Sequence, residues 1–285
     1  MKTVNDKEFE GERPLYGSKD LVLNNIIIHQ GESALKECKN IFVQNCRIEG
    51  MYPFWHNTGL KIDNSDFLAE SRAPIWYTKD CEIYHTEIKS PKSLRECERI
   101  KITDTIFTQT PETLWFCKDI AIEKVDFSQG DYLLFKSQNI DIDDIKMDAK
   151  YSFQYCKNVE IRNSILNTKD AFWHSENVTV YNSEIKGEYL GWYSENLRLV
   201  NCKISGTQPL CYAKNLILEN CEMDPDCDLC FEYSSVKADI STKITSVKNP
   251  LSGYIKAAGF GEIIVDENAK PPADCGFGLI DQDKD

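Results

Sequence analysis

The stretch VTVYNSEIKGEYLGWYSENLRLVNCKI, residues 178–204, contains nearly the same phrase twice. Val-Thr-Val-Tyr-Asn-Ser-Glu-Ile begins at Val178, and Leu-Arg-Leu-Val-Asn-Cys-Lys-Ile begins nineteen residues later at Leu197. Apolar residues at alternate positions are typical of a short β-strand. Asn marks a corner because it tolerates left-handed backbone and bonds its own turn. The stretch therefore predicts a strand, a corner and a return segment in each copy.

The same phrase recurs along most of the chain. We take the first apolar residue of each strand as an anchor, and twelve anchors then follow one another at intervals of 19 to 21 residues. The anchors are Leu21, Ile41, Leu60, Cys81, Ile100, Ile120, Ile140, Val159, Val178, Leu197, Leu216 and Val236. So constant a period indicates a solenoid, in which each repeat is one turn of the chain.

Polar residues occupy two fixed positions of the repeat. The position after the strand holds Asn25, Asn45, Asn64, Asn163, Asn182, Asn201 and Asn220, with His85, Asp104 and Asp144 as variants. The position before the anchor holds Asp20, Asn40, Asp80, Asp119, Asn139, Asn158, Asn177, Asn196 and Asn215. Equivalent side chains of a solenoid stack on one another, so we expect two corners per coil and amide side chains that bond along the stack.

A leucine-rich repeat and a β-helix both fit a period near twenty residues. The Asn comes one residue too early for a leucine-rich repeat, and the return segment shows no helical periodicity. We therefore predict an all-β, right-handed single-stranded parallel β-helix of about twelve coils with 19–21 residues per coil. We expect a single domain, 1–285, with an N-terminal cap over 1–20, coils over 21–244 and a C-terminal cap over 245–285.

Three phrases of the chain are more specific than the period alone. They are GERPLYGSKDLVL, GTQPLCYAKNLILENCEM and FEYSSVKADI followed by ITSVKNPLSG. In these phrases the chain resembles a bacterial family known as domain of unknown function 3737, over nearly its whole length. The resemblance implies a right-handed parallel β-helix and implies no activity.

Charge and composition exclude some partners. The 285 residues carry a formal net charge of −13, which argues against nucleic acid and anionic membrane surfaces as partners. The N-terminal stretch MKTVNDKEFEGERPLYGSKD lacks the apolar core of a signal peptide, and no apolar run approaches membrane-spanning length. We expect a cytoplasmic protein whose 12 cysteines are reduced.

Aromatic residues are confined to two adjacent positions of the return segment. All five tryptophans lie five residues before an anchor, together with Phe135 and Phe231. The next position holds His56, Phe116 and several tyrosines, and also Glu37, Glu96, Lys136 and Glu232. Stacking predicts two aromatic stripes, which form either an internal stack or a surface for sugar rings. The candidate ligand-binding residues are Trp55, Trp76, Trp115, Trp173, Trp192, Tyr77, Tyr155, Tyr193, Tyr212 and His174.

A metal site is a weaker candidate. Asp141 and Asp143 alternate outward on one strand, and carboxylate oxygens are the ligands that Ca²⁺ prefers. Acidic residues on the outer face of an acidic protein are usually only solvated, so we expect no cofactor. Cys227-Asp-Leu-Cys230 is a single C-x-x-C without the second pair of a zinc site. Cysteines that alternate with Ser, Thr and Ala at equivalent positions indicate small buried sites.

Three functions remain open from the sequence. The first is carbohydrate binding along the aromatic stripes, with modification of the carbohydrate left undecided. The second is a non-catalytic scaffold that associates with itself. The third is a Ca²⁺-dependent sugar lyase built on Asp141 and Asp143. No catalytic set can be named, and whether the protein is an enzyme stays open.

Overall fold

The computed structural model describes residues 1–267, 269 and 274–280. Contacts within the chain divide it into two compact units, Met1–Ala149 and Lys150–Asp285. The prediction of a single domain is not tested by this division. The secondary structure of the described residues consists of strands, turns and bends, without a helix. None of the described segments is a helix that could cross a membrane.

The first unit is built from thirteen strands in chain order, the last of which ends one residue into the second unit. They are β1 (Lys2–Phe9), β2 (Lys19–Ile28), β3 (Lys39–Gln44), β4 (Arg47–Ile48), β5 (Thr58–Asp63), β6 (Asp66–Phe67), β7 (Ile75–Trp76), β8 (Lys79–Tyr84), β9 (Glu87–Ile88), β10 (Leu94–Arg95), β11 (Glu98–Thr108), β12 (Lys118–Asp131) and β13 (Gln138–Lys150).

The second unit contains ten further strands. They are β14 (Lys157–Arg162), β15 (Ile165–Lys169), β16 (Glu176–Tyr181), β17 (Glu184–Lys186), β18 (Glu195–Val200), β19 (Lys203–Ser205), β20 (Leu216–Met223), β21 (Ser235–Lys248), β22 (Ser252–Ile264) and β23 (Asp274–Leu279).

The predicted anchors are register partners in parallel strand pairs. In the first unit Leu21 pairs with Ile41, and the register continues in turn through Leu60, Cys81, Ile100 and Ile120. In the second unit Val159 pairs with Val178, Val178 with Leu197, and Leu216 with Val236. The fold class is confirmed: the chain is a parallel β-helix, with about 14 turns where twelve coils were predicted.

Both predicted corners have left-handed backbone. Every Asn, Asp or His of the two corner positions has a positive φ, for example 48° at Asn182 and 56° at Asn196. The amides also bond from coil to coil, as predicted. Asn201 donates to Asn182 at 3.1 Å, and Asn196 donates to Asn177 at 2.9 Å.

A third corner lies where the sequence analysis could not place a bend. It falls at the second aromatic position, the residue after each tryptophan. Its members all have φ between 51° and 61°: Glu37, His56, Tyr77, Glu96, Phe116, Lys136, Tyr155, His174, Tyr193, Tyr212 and Tyr233. None of them is Gly or Asn. Because left-handed backbone costs an ordinary residue about 1–2 kcal/mol, contacts between coils have to hold this corner in place.

The interior of each unit is apolar and layered. The position before each tryptophan points inward: Leu35, Phe54, Ile75, Leu94, Leu114, Leu134, Phe153, Phe172 and Leu210 are fully buried. All cysteines are free, and all except Cys275 are buried, which confirms the predicted small buried positions. Burial raises the pKa of the Cys211 and Cys227 thiols to about 12, which suits inert packing groups.

Strands extend beyond the twelve anchored repeats at both ends of the chain. β1 lies within the segment expected to form the N-terminal cap and pairs with β2. At the other end, β22 pairs with β21 and β23 pairs with β22, within the segment expected to form the C-terminal cap. The segment 265–285 also includes residues outside the described ones. The terminal strands account for the additional turns.

Candidate functional site

The predicted aromatic stripes form two columns on the surface of each unit. We call the position five residues before most anchors the tryptophan column and the position after it the corner column. Tryptophans in the first column are half-buried, and most rings in the corner column are exposed or half-exposed. The predicted alternatives of an internal stack and a surface stripe are thus combined, because each tryptophan is partly covered and partly exposed.

Indole N–H groups tie successive coils together. Trp55 Nε1 donates to the carbonyl oxygen of Ala73 at 2.7 Å, and Trp76 Nε1 donates to that of Lys92 at 2.8 Å. Trp192 Nε1 donates to the carbonyl oxygen of Gln208 at 2.7 Å. Each bond satisfies a carbonyl in the next coil, so these tryptophans have a structural role whatever they bind.

Stacking covers much of the aromatic surface in the first unit. Trp55 and Trp76 stack with centroids 5.0 Å apart and planes 5° apart. His56 and Tyr77 stack at 4.7 Å and 16° in the corner column. A ring inside such a stack offers less of its face to a sugar than an isolated ring does. Binding by these residues stays a prediction.

Arg95 takes the place of a ring in the tryptophan column. Its guanidinium carbon lies 4.5 Å from the Trp76 centroid and 4.7 Å from the Trp115 centroid. Glu112 accepts a hydrogen bond from Arg95 Nη2 at 3.2 Å. A guanidinium between two indoles continues the column as a cation–π contact. The sequence analysis missed this residue, although it stands five residues before the anchor Ile100.

The longest corner column lies in the second unit. Tyr155, His174, Tyr193 and Tyr212 stack in order, with centroids 4.9 to 5.2 Å apart. Tyr233 extends the column at 5.9 Å from Tyr212. Tyr155 and Tyr193 are 42% and 43% exposed. Burial and the Glu232 carboxylate raise the pKa of Tyr212, which keeps its hydroxyl protonated.

Two members of the aromatic sets differ from the prediction. Phe231 was expected in the tryptophan column, but it is fully buried, with a φ of 65° that matches Leu210 at 63°. The chain between corner and anchor is one residue shorter in this coil, so Phe231 takes the inward position. For the same reason Tyr233, and not Glu232, stacks in the corner column.

The columns are interrupted in both units. In the second unit Gln154 precedes Trp173 in the tryptophan column, and the Trp173 ring is tilted by 44° from Trp192. In the first unit Glu96 and Lys136 flank Phe116 in the corner column. Phe116 is 39% exposed, and the rings of Trp115 and Phe135 meet it perpendicularly at 6.1 and 5.9 Å. Its neighbours along the corner column are thus charged side chains and not rings.

A pocket opens beside Phe116. Its volume is about 460 Å³, and Glu96, Glu98, Phe116 and Lys118 line it. Lys79 of the adjacent coil forms an ion pair with Glu98 at 3.1 Å. The pocket thus combines an aromatic ring, carboxylate acceptors and an ammonium donor. The sequence analysis missed Glu98 and Lys118, because these residues lie outside the aromatic positions and contribute to a pocket only once adjacent coils are stacked.

The predicted calcium ligands lie on β13. Asp141 is exposed and Asp143 half-exposed on its outward face. Among the described residues, no group of three or more His, Cys, Asp and Glu side chains could hold a metal ion. Cys227 and Cys230 are both buried as free thiols. Neither pair is gathered into a larger ligand set in the described part of the chain.

Comparisons with known proteins identify a family and several solved β-helices. The family model described as "Protein of unknown function (DUF3737)" matches residues 2–277. No curated protein matches the sequence. One similar structure is PfbA, a surface adhesin of Streptococcus pneumoniae, at 10% identity and a TM-score of 0.47, covering 93% of this chain and 85% of that one.

Another is a mannuronic acid specific polysaccharide family 6 lyase from human gut microbiota. It is 8% identical with a TM-score of 0.41, covering 96% of this chain and 87% of that one.

Proposed function

This chain belongs to the DUF3737 family, and from the geometry of its surface we propose that it binds carbohydrate, with Phe116 as the central contact. One observation carries the proposal. Phe116 is an exposed ring flanked by charged residues in its column, and a pocket lined by Glu96, Glu98 and Lys118 opens beside it.

The side chains of this pocket suit a sugar. The C–H face of a pyranose is apolar and packs on an aromatic ring, while its hydroxyls donate to carboxylates and accept from an ammonium group. A binding pocket generally combines such an apolar surface with a few polar groups that fix orientation. The ion pair between Glu98 and Lys79 holds one of these carboxylates in place.

The stacked columns supply the surroundings of this contact. Trp115 meets Phe116 perpendicularly, and Arg95 supports Trp115 from the neighbouring coil. We expect the stacked tryptophans to make the surface rigid, so that the sugar orders few side chains when it binds. The candidate residues of the second unit, Trp173 above all, would offer a separate aromatic surface.

A glycan array tests the proposal. We expect the wild-type protein to bind carbohydrate and Phe116→Ala to bind at least about tenfold more weakly, since an aromatic anchor is lost. Phe42→Ala is the matched control, because Phe42 is a half-exposed ring on a different strand, β3. If no glycan binds, or if Phe116→Ala binds like the wild type, the proposal is wrong.

Self-association is a second candidate function, favoured by the last strand. Among the described residues β23 pairs with β22 alone, and it exposes Phe277 by 37% and Leu279 by 69%. A terminal strand with exposed apolar side chains can pair with another chain. Light scattering after size exclusion tests this: we expect a dimer or larger species that Leu279→Lys converts to a monomer. A monomeric wild type would remove this candidate.

We also propose a cytoplasmic location, as expected from the sequence. The free state of all 12 cysteines supports it, because reduced thiols are usual in that compartment. Fractionation of the native cells is the test, and recovery of the protein outside the cytoplasm would contradict it.

A further inference from the structure

A groove in the second unit follows one of the two asparagine corners. Its volume is about 710 Å³, and it crosses the coils that carry Asn163, Asn182, Asn201 and Asn220. All four corner residues are exposed. Lys203 and Glu222 also line it. We call this surface the asparagine groove. The pocket at Phe116 belongs to the first unit.

The amides of the groove keep hydrogen-bonding capacity. An Asn side chain has two N–H donors and two acceptor lone pairs. Asn201 donates one N–H to Asn182 and accepts one bond from Asn220 at 2.9 Å. One donor and one lone pair of Asn201 therefore remain for a ligand. Since the ladder fixes the amide, both groups are held in one orientation.

The charges of the groove favour an uncharged ligand. Glu184 and Glu222 contribute carboxylates and Lys203 contributes an ammonium group. Lys203 also pairs with Asp224 at 3.4 Å, and Glu184 pairs with Lys186 at 2.9 Å. A polyanion would meet these carboxylates without a basic excess to attract it. Hydroxyl groups can donate to the carboxylates and accept from the amides and the lysine.

The spacing of the groove discriminates between linear polymers. Adjacent coils repeat at about 4.8 Å, whereas an extended peptide advances about 3.3 Å per residue. A peptide along the stack would fall out of step with the amides within two coils. A hexose residue in an extended chain is close in length to one coil, so each sugar can meet one Asn. Four coils accommodate about three to four sugars at this spacing.

We propose that the asparagine groove binds a linear, uncharged polysaccharide that lies along the stack of coils. The groove is a second carbohydrate site, and it shares only the class of ligand with the function proposed above. Recognition comes from hydrogen bonds to a regular row of amides, whereas the Phe116 pocket offers an aromatic ring. The two sites can therefore fail independently.

Hydrogen exchange measured by mass spectrometry separates the two sites. Cellohexaose and mannohexaose serve as uncharged probes, and a galacturonate hexamer serves as the charged comparison. We expect either uncharged hexamer to slow exchange in β17 and β19, with little effect of the charged one. Protection confined to strands around Phe116 would overturn this inference and leave the function proposed above intact. No protection from either uncharged hexamer, or protection of β17 and β19 by the charged hexamer alone, would also overturn it.

Two variants of one residue type sharpen the test. Asn201→Asp removes the amide donor, while Asp still tolerates left-handed backbone. We therefore expect the uncharged hexamers to bind this variant with about tenfold lower affinity, measured from the hexamer concentration needed to slow exchange. Asn196→Asp is the matched control. Asn196 also has left-handed backbone and ladder bonds to Asn177 and Asn215, but it lies outside the groove. Equal binding by both variants, or equal loss, would contradict the inference.

A third variant leaves the ladder intact. Lys203→Met keeps the length of the side chain and removes the ammonium donor, so we expect several-fold weaker binding without a change in melting temperature. Wild-type affinity in this variant together with wild-type affinity in Asn201→Asp would exclude the groove as the site.

Discussion

Tyr193 stacks on His174 with ring centroids 4.9 Å apart and planes 10° apart, although both residues have left-handed backbone. The strain of this backbone costs about 1–2 kcal/mol per residue. Ring stacking contributes about 0.5–1.5 kcal/mol per pair, and Tyr193 takes part in two pairs because Tyr212 stacks on its other side. Because each pair is shared by two strained residues, stacking offsets a part of the strain of this corner.

Substitutions of Tyr193 test this balance. Tyr193→Ala loses both stacks and keeps the strain, whereas Tyr193→Gly loses the stacks but relieves the strain. We expect both to destabilise the protein, with Gly about 1 kcal/mol more stable than Ala. Tyr181 is the control, because it lies at the end of strand β16 with ordinary backbone. There the order should reverse, with Ala more stable than Gly; the same order at both sites in urea unfolding would refute the account.

Arg95 gives a second prediction, for the tryptophan column. Arg95→Ala removes two cation–π contacts and the bond to Glu112, and we expect a loss of about 2 kcal/mol in the free energy of unfolding. Arg95→Phe restores a ring between Trp76 and Trp115 and should recover most of it. Lys36→Ala is the control, because the Lys36 ammonium lies 5.8 Å from the centroid of one indole, Trp55, whereas Arg95 contacts two indoles at shorter distances. Equal effects of Arg95→Ala and Lys36→Ala on thermal unfolding would contradict this.

His29 predicts a pH dependence at the first coils. Its Nε2 lies 2.9 Å from Glu8 and its Nδ1 3.2 Å from Glu49, and hydrogen bonds to these carboxylates raise its pKa above 6.5. A raised pKa in the folded state means that the stabilisation is complete below 6.5 and is lost as the pH rises through the folded value. The wild type should therefore have a higher melting temperature than His29→Gln at about pH 5.5, and the two melting temperatures should be equal at about pH 8. A difference that stays constant between these two values would show that His29 does not titrate in this way.

Much of the fold was predictable because every coil repeats the same sequence pattern. Anchors, inward positions and two corners follow from alternation and from Asn, whose conformational preferences are local. The third corner was not predictable in this way. Tyr193 and Phe116 show no local preference for left-handed backbone. Hydrogen bonds between coils hold them in it: the Tyr193 N–H donates to the carbonyl oxygen of Cys211 at 3.3 Å, and the Phe116 N–H donates to that of Phe135 at 3.0 Å.

The candidate site was less predictable for a related reason. The sequence identifies the five tryptophans as one column, but it does not show that Trp55 stacks on Trp76 and donates its N–H to Ala73. Phe231 was misplaced because a fixed distance from the anchor fails where the chain is one residue shorter. The pocket at Phe116 is lined by Glu96, Glu98 and Lys118, and this grouping follows from the register of the stacked coils.

The most direct test of the central claim is the affinity of a carbohydrate found on the array, measured by titration calorimetry with wild type, Phe116→Ala and Phe42→Ala. The account predicts saturable binding that Phe116→Ala weakens at least about tenfold, while Phe42→Ala leaves it unchanged. Wild-type affinity in Phe116→Ala would contradict the account, and so would an equal loss in both variants.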